Sequence, residues 1–267
     1  MKHILVPIGS TENASNTLQY AIDFASEIGA KVFVFRAYKV LSKAGTIINV
    51  DDIIERETNL YLRSVISLVD TKSVDVKMIS AKGDVIDSIQ TVDKELGIDL
   101  IVVGPKSNSV NKEVFLGSTT GSIVKHTNIP TLVIPNGLNF SSFKTALIAF
   151  KSGVITKKDA LDPIEAILQN FKTVVDLLLV KTPNHTEEDL VLDAKLSALQ
   201  NSLSISENDT TFEGVLEYFE SNTTDLLCVF KRKRGFFKKL WESNTILKSE
   251  FDCDVPLLVL NGLSGDQ

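Results

Sequence analysis

Gly104, Gly117, Ser118 and Thr119 are the residues whose types and spacing suggest chemistry. Gly104 closes a short apolar, β-branched run, Leu100 to Val103, that reads as a strand, and it lets the chain turn without Cβ strain. Gly117-Ser118 then opens a helical stretch to about His126, with Ser118 the expected N-cap. A helix start of this kind presents unpaired backbone N–H groups and the positive end of a dipole, a site suited to phosphate. Lys106 and Lys112, in the intervening loop, would add mobile positive charge; as loop lysines they are also explained by solvation alone. The same residues equally describe a tight turn followed by an ordinary capped helix.

The elements that must position these residues alternate in type. A strand at 4–8 is followed by a helical pattern at 13–28 that stops at Gly29, a strand at 31–38 and a longer helix at 51–69. A strand at 74–79 and a helix at 84–96 then lead to the strand before Gly104. Asn128-Ile129-Pro130 ends the following helix, and Thr131 to Ile134 reads as a strand covered on both faces. Such alternation predicts an α/β fold with a parallel sheet, right-handed crossovers and a ligand crevice at the carboxyl ends of the strands, where Gly9 and Gly104 both fall.

The pattern occurs twice. Asp99-Leu100-Ile101-Val102-Val103-Gly104 is echoed by Asp225-Leu226-Leu227-Cys228-Val229-Phe230, and the segment after Pro130 by the one after Pro256, both at an offset of 126 residues (Asp99 to Asp225, Pro130 to Pro256). Thr145 to Phe150 matches the first strand, so the chain reads as two tandem doubly wound domains, 1–140 and 141–267, joined near 138–143. In the second copy the expected series is helix 161–170, strand 174–180, helix 187–202 and helix 214–221. Its site differs: Phe230 stands where the motif glycine should be, and Glu242 precedes Ser243 where Gly-Ser should be. A ring and a carboxylate there would obstruct and repel a triphosphate, so the second copy is expected to hold no nucleotide.

Composition sets the outer bounds. A chain of 267 residues with 43% hydrophobic and 23% charged side chains can bury two ordinary cores. A net charge of -6 argues against a dedicated nucleic-acid or membrane-surface binder. The basic, aromatic stretch Lys231 to Trp241 is better read as packing over the sheet or at an interface than as an RNA contact. Two cysteines, Cys228 and Cys253, make no disulfide framework, and His3, His126 and His185 have no metal-ligand spacing. With no apolar leader after Lys2 and no run of transmembrane length, a cytoplasmic protein is expected. No Ser/His/Asp or Cys/His grouping and no catalytic base is visible, so no enzymatic activity is expected.

The segment IVVGPKSNSVNKEVFLGSTTGSIVKHTNIPTLVIP, residues 101–135, resembles the C-terminal half of a universal stress protein (UspA-type) domain, whose nucleotide-binding members carry G-x2-G-x9-G-[S/T]. Here the series is Gly104, Ser107, Gly117-Ser118, with a serine in place of the middle glycine. The opening His3-Ile4-Leu5-Val6-Pro7-Ile8-Gly9-Ser10-Thr11 resembles the family's first strand and loop, with Gly9 where ATP-binding members usually have aspartate. The Ser-Gly-Gly loop of ATP pyrophosphatases, an enzymatic relative by fold, is absent from this position.

The resemblance implies a nucleotide site. ATP or a related nucleotide, with Mg accompanying it, would contact Ile8, Gly9 and Ala37 on one side, and Gly104, Ser107, Gly117, Ser118 and Thr119 on the phosphate side. It also implies a regulatory role in stress responses and dimerisation through the last strand of each sheet. In a tandem chain, the strands Thr131 to Ile134 and Leu257 to Leu260 could pair with each other, forming a pseudo-dimer, and two chains could associate further as a homodimer. Two functional readings stand side by side: a nucleotide-binding regulator, and an interaction module of the same fold that no longer binds nucleotide.

Overall fold

The computed structural model describes residues 1–9, 13–39, 50–105, 114–231, 246–247 and 253–261. The first half runs β1 (His3–Pro7), α1 (Ala14–Ile28), β2 (Lys31–Tyr38), α2 (Val50–Ile66), β3 (Val76–Lys82), α3 (Val85–Leu96) and β4 (Leu100–Val103). It continues with β5 (Val114–Leu116), α4 (Ser118–His126) and β6 (Thr131–Val133). The second half follows with β7 (Thr145–Phe150), α5 (Asp162–Phe171), β8 (Val174–Lys181), a 3-10 turn at Glu187–Leu190, α6 (Ala194–Leu199) and β9 (Ser202–Glu207). It ends with α7 (Thr211–Ser221), β10 (Leu226–Lys231), β11 (Ile246–Leu247) and β12 (Leu257–Asn261).

Local chemistry explains many of the boundaries. Gly29 ends α1 in the left-handed conformation, φ 69°, and its N–H donates to the Ala25 carbonyl. Asp84 caps α3 by accepting the Ile86 N–H, which holds its carboxyl below the usual range with help from Lys39. Thr210 and Glu213 form a capping box at the start of α7.

Among the described residues, all the strands but two join one sheet, in the order β3-β2-β1-β4-β6-β12-β10-β7-β8-β9. Pairing within each half is parallel; the one antiparallel step is β6 against β12, with Leu258 opposite Leu132. The sheet therefore runs without a break from one half into the other. Both faces are covered. One core packs α1, α2 and α5 against residues such as Ile4, Val102, Ile148 and Leu258, and the other packs α3, α4 and α7 against Leu5, Ile101, Leu147 and Val259. The joint between the halves is itself packed: the Phe140 and Phe143 rings meet Phe24 of α1 and Phe171 of α5 at centroid distances of 5.6–6.2 Å.

Three expectations change. The helix expected over 187–202 is two short pieces, because Asp189 closes a capping box on Thr186 and Asp193 starts a new helix by accepting the Lys195 N–H. The chain then forms β9, an edge strand whose Ser202–Glu207 alternation is half-buried. The loop before α4 contains β5, which pairs antiparallel with β11 of the second half. The N-cap of α4 is Gly117, extended at φ -72° and ψ 163°, and Ser118 is already its first helical residue.

Among the described residues, no helix is long and apolar enough to cross a membrane. Leu258 lies fully buried at the antiparallel seam, so Leu258→Ala should lower the free energy of unfolding by about 3 kcal/mol in urea denaturation. Burial pushes the Cys228 thiol well above its ordinary range, and alkylation of Cys228 should occur only as the protein unfolds.

Candidate functional site

In a doubly wound sheet, a crevice opens where strand order reverses, at the carboxyl ends of the strands on either side. Here that point lies between β1 and β4, since β1 is followed on its other side by β2 and β3. Leu5 is opposite Ile101 and Pro7 is opposite Phe35; continuing these registers sets Ile8 beside Gly104 and Gly9 beside Ala37.

On the β4 side, the exit from the strand is stitched to the first turn of α4. The Gly117 N–H donates to the Pro105 carbonyl at 2.8 Å, and Thr120 Oγ1 donates to the Gly104 carbonyl at 2.9 Å. The first helical bond of the turn runs from the Gly121 N–H to the Gly117 carbonyl. The N–H groups of Ser118, Thr119 and Thr120 lie ahead of it and have no partner inside the helix. Ser118 is exposed, Thr119 half-buried and Thr120 buried. The first turn carries no acidic residue, while Lys125 and His126 sit in the last, so the helix's own side-chain charges do not oppose an anion at its N-terminus. A Cβ on Gly104 would stand 3.0 Å from Thr17 Oγ1 of α1, so the glycine leaves room that a side chain would take only if Thr17 gave way by a few tenths of an ångström.

On the β1 side the groups are mostly engaged within the protein. The Ile8 N–H donates to the Phe35 carbonyl and its side chain is buried in the α1/α2 core. The Gly9 carbonyl accepts the Tyr61 hydroxyl at 2.7 Å. The Tyr61 ring in turn carries the Arg36 guanidinium, 4.1 Å from its centroid, and among the described residues the buried Arg36 Nη1 has no hydrogen-bond partner. Ala37 packs on the opposite face, against the α3/α4 core. Around the rim, Lys39 pairs with Asp84 at 3.0 Å, Lys82 pairs with Asp51, and the Tyr38 hydroxyl faces Glu55. These exposed pairs contribute little to stability.

The structure thus brings Gly104, Gly117, Ser118 and Thr119 together at one end of the sheet, with Gly9 just past the end of the adjoining strand β1. It engages the Gly117 N–H internally, so the open donors belong to Ser118–Thr120. Ser107, Lys106 and Lys112 lie outside the described residues, as do Arg232 to Trp241, Glu242 and Ser243. In the second half Phe230 is buried in the core at the end of β10. Thr17, Arg36, Tyr61 and Thr120 were not singled out by sequence; only Arg36, a charge interrupting the apolar strand Lys31–Tyr38, carries a visible signal.

Residues 1–135 match the model of the universal stress protein family. The chain belongs to that family. Universal stress protein G of Shigella flexneri is 28% identical over 81 residues, 30% of this chain and 56% of the relative, so the chain spans a little over half the length of the curated relatives it matches. A universal stress protein from Archaeoglobus fulgidus DSM 4304 superposes with a TM-score of 0.69 at 18% identity, covering 99% of this chain and 97% of that one. A functionally unknown protein from Pseudomonas aeruginosa PAO1 gives 0.60 at 12% identity, over 98% of this chain and 93% of its own. These solved structures show that the fold of the whole chain, and not only of its first half, has counterparts among solved proteins.

Thr120→Val removes the donor to the Gly104 carbonyl while keeping the side-chain shape. It should cost about 1–2 kcal/mol in urea denaturation, with Thr120→Ser retaining most of the stability.

Proposed function

We propose that the first domain, residues 1–140, holds ATP or a related nucleotide at the carboxyl edge of β1 and β4, and that the protein acts as a stress-response regulator by binding rather than by catalysis. The observation that carries this reading is the start of α4: three backbone donors at a helix N-terminus whose first turn carries no acidic residue, fixed to the exit of β4 by two hydrogen bonds. Phosphate oxygens would lie against the Ser118, Thr119 and Thr120 amides, with the Gly104 turn allowing close approach. Mg would arrive with the phosphates, which supply its oxygen ligands. The base and ribose would extend towards Gly9 and Ala37, without the carboxylate that family members usually place after the first strand. The second domain, 141–267, has Phe230 in place of the motif glycine and serves as a structural partner. Because β6 and β12 pair within the chain, a homodimer would have to form through another surface.

A second reading is favoured by a specific observation: the Gly117 N–H and the Gly9 carbonyl already have partners inside the protein. It makes the protein an interaction module that has closed its nucleotide site. Titration calorimetry with MgATP separates the two. Saturable heat at one site per chain, weakened about 10-fold or more in Ser118→Glu, is expected from like-charge repulsion at the helix start. Absence of heat at millimolar MgATP selects the interaction module. Phosphate release from ATP by the wild type should not exceed that of Ser118→Glu; release well above it would show catalysis.

A further inference from the structure

The helix that supplies the anion donors belongs to the first half, yet residues of the second half hold it at both ends. At its C-terminus, α4 gives way to Thr127, whose N–H and Oγ1 both turn back to the Ile123 carbonyl. The Thr127 carbonyl accepts Nζ of Lys231, a lysine only 6% exposed at the end of β10, at 2.9 Å. The next carbonyl, of Asn128, accepts Nδ2 of Asn261 at the end of β12, at 2.5 Å. Lys231 and Asn261 are themselves neighbours in the β10–β12 register. A buried ammonium against the C-terminal carbonyls meets the negative end of the helix dipole, where a cation is most favourable. Ahead of the helix, β5 pairs with β11: Leu116 lies opposite Ile246 and Val114 opposite Leu247. Leu116 is fully buried and directly precedes Gly117.

We propose that the second half acts as a clamp on α4, with Lys231 and Asn261 as positioning residues that set how well the Ser118–Thr120 amides receive an anion. The clamp deepens the nucleotide reading, on which its ligand arm rests. A helix gripped at its carbonyl end and led in by a paired strand cannot shift along its axis without breaking contacts in the other half. Whatever binds or displaces the second half therefore alters the donors of the first.

The test uses the full chain with Lys231→Met, which keeps the volume and removes the charge, and with Asn261→Ala, which leaves the sheet core intact. Hydrogen exchange should quicken about 10-fold at the bonded amides Gly121–Val124 of α4 and remain unchanged in α3. Calorimetry should show ATP binding weakened about 3- to 10-fold, with adenosine, which has no phosphate to meet the helix, unaffected. Unchanged α4 exchange in both variants, or equal quickening in α3 and α4, overturns the clamp. So does equal weakening of ATP and adenosine. If the wild type takes up no ATP, the nucleotide reading fails on its own, and exchange confined to α4 still decides for the clamp.

Discussion

The antiparallel pairing of β6 with β12 is the constraint on which the rest of the molecule depends. An isolated half would end in an unpaired, fully buried-type strand, with exposed N–H and C=O groups and an apolar side-chain row on each face. Joining the two ends turns a pair of five-stranded sheets into one ten-stranded sheet whose central strands are covered on both faces. The linker reinforces the join, since Phe140 and Phe143 pack between α1 and α5. Because β6 directly follows α4, and β12 carries Asn261, the seam also brings the second half against the helix that frames the candidate site.

Much of this architecture can be read from the sequence because its signals are local. The runs Lys31–Tyr38 and Thr145–Phe150 are bounded by turn residues, and Gly29 and Asp84 mark helix ends by mechanisms that need no tertiary context. The repeat offset revealed two copies, and the resemblance of residues 101–135 named the family. For β5 and β11 the deciding partner was distant. β5 and β11 are short strands that exist because they meet each other across about half the chain. The helix expected over 187–202 fits a helical apolar period, but the Thr186–Asp189 box and the Asp193 cap divide it, and β9 lies mostly in a stretch, 203–207, that the sequence reading assigns to no element.

The candidate site shows the same division. Gly104, Gly117 and Ser118 were legible as a motif, since their value lies in backbone freedom and position. Which amides remain open was not, because that depends on the Gly117 N–H finding the Pro105 carbonyl and Thr120 reaching Gly104. Likewise the Gly9 turn depends on Tyr61, a residue of α2 whose hydroxyl crosses to it. Such side chains look like ordinary helix residues until the fold places them.

Covalent linkage of the two halves has a consequence at Pro105 and Lys231, which occupy matching places in the repeat. In an association of two identical chains, each position must satisfy both sides of a twofold axis with one residue type. Here Pro105 accepts an N–H from its own half, whereas Lys231 reaches across to the carbonyl of Thr127. A single chain carries no such twofold constraint, so matching positions of its two halves can take different residues and different partners.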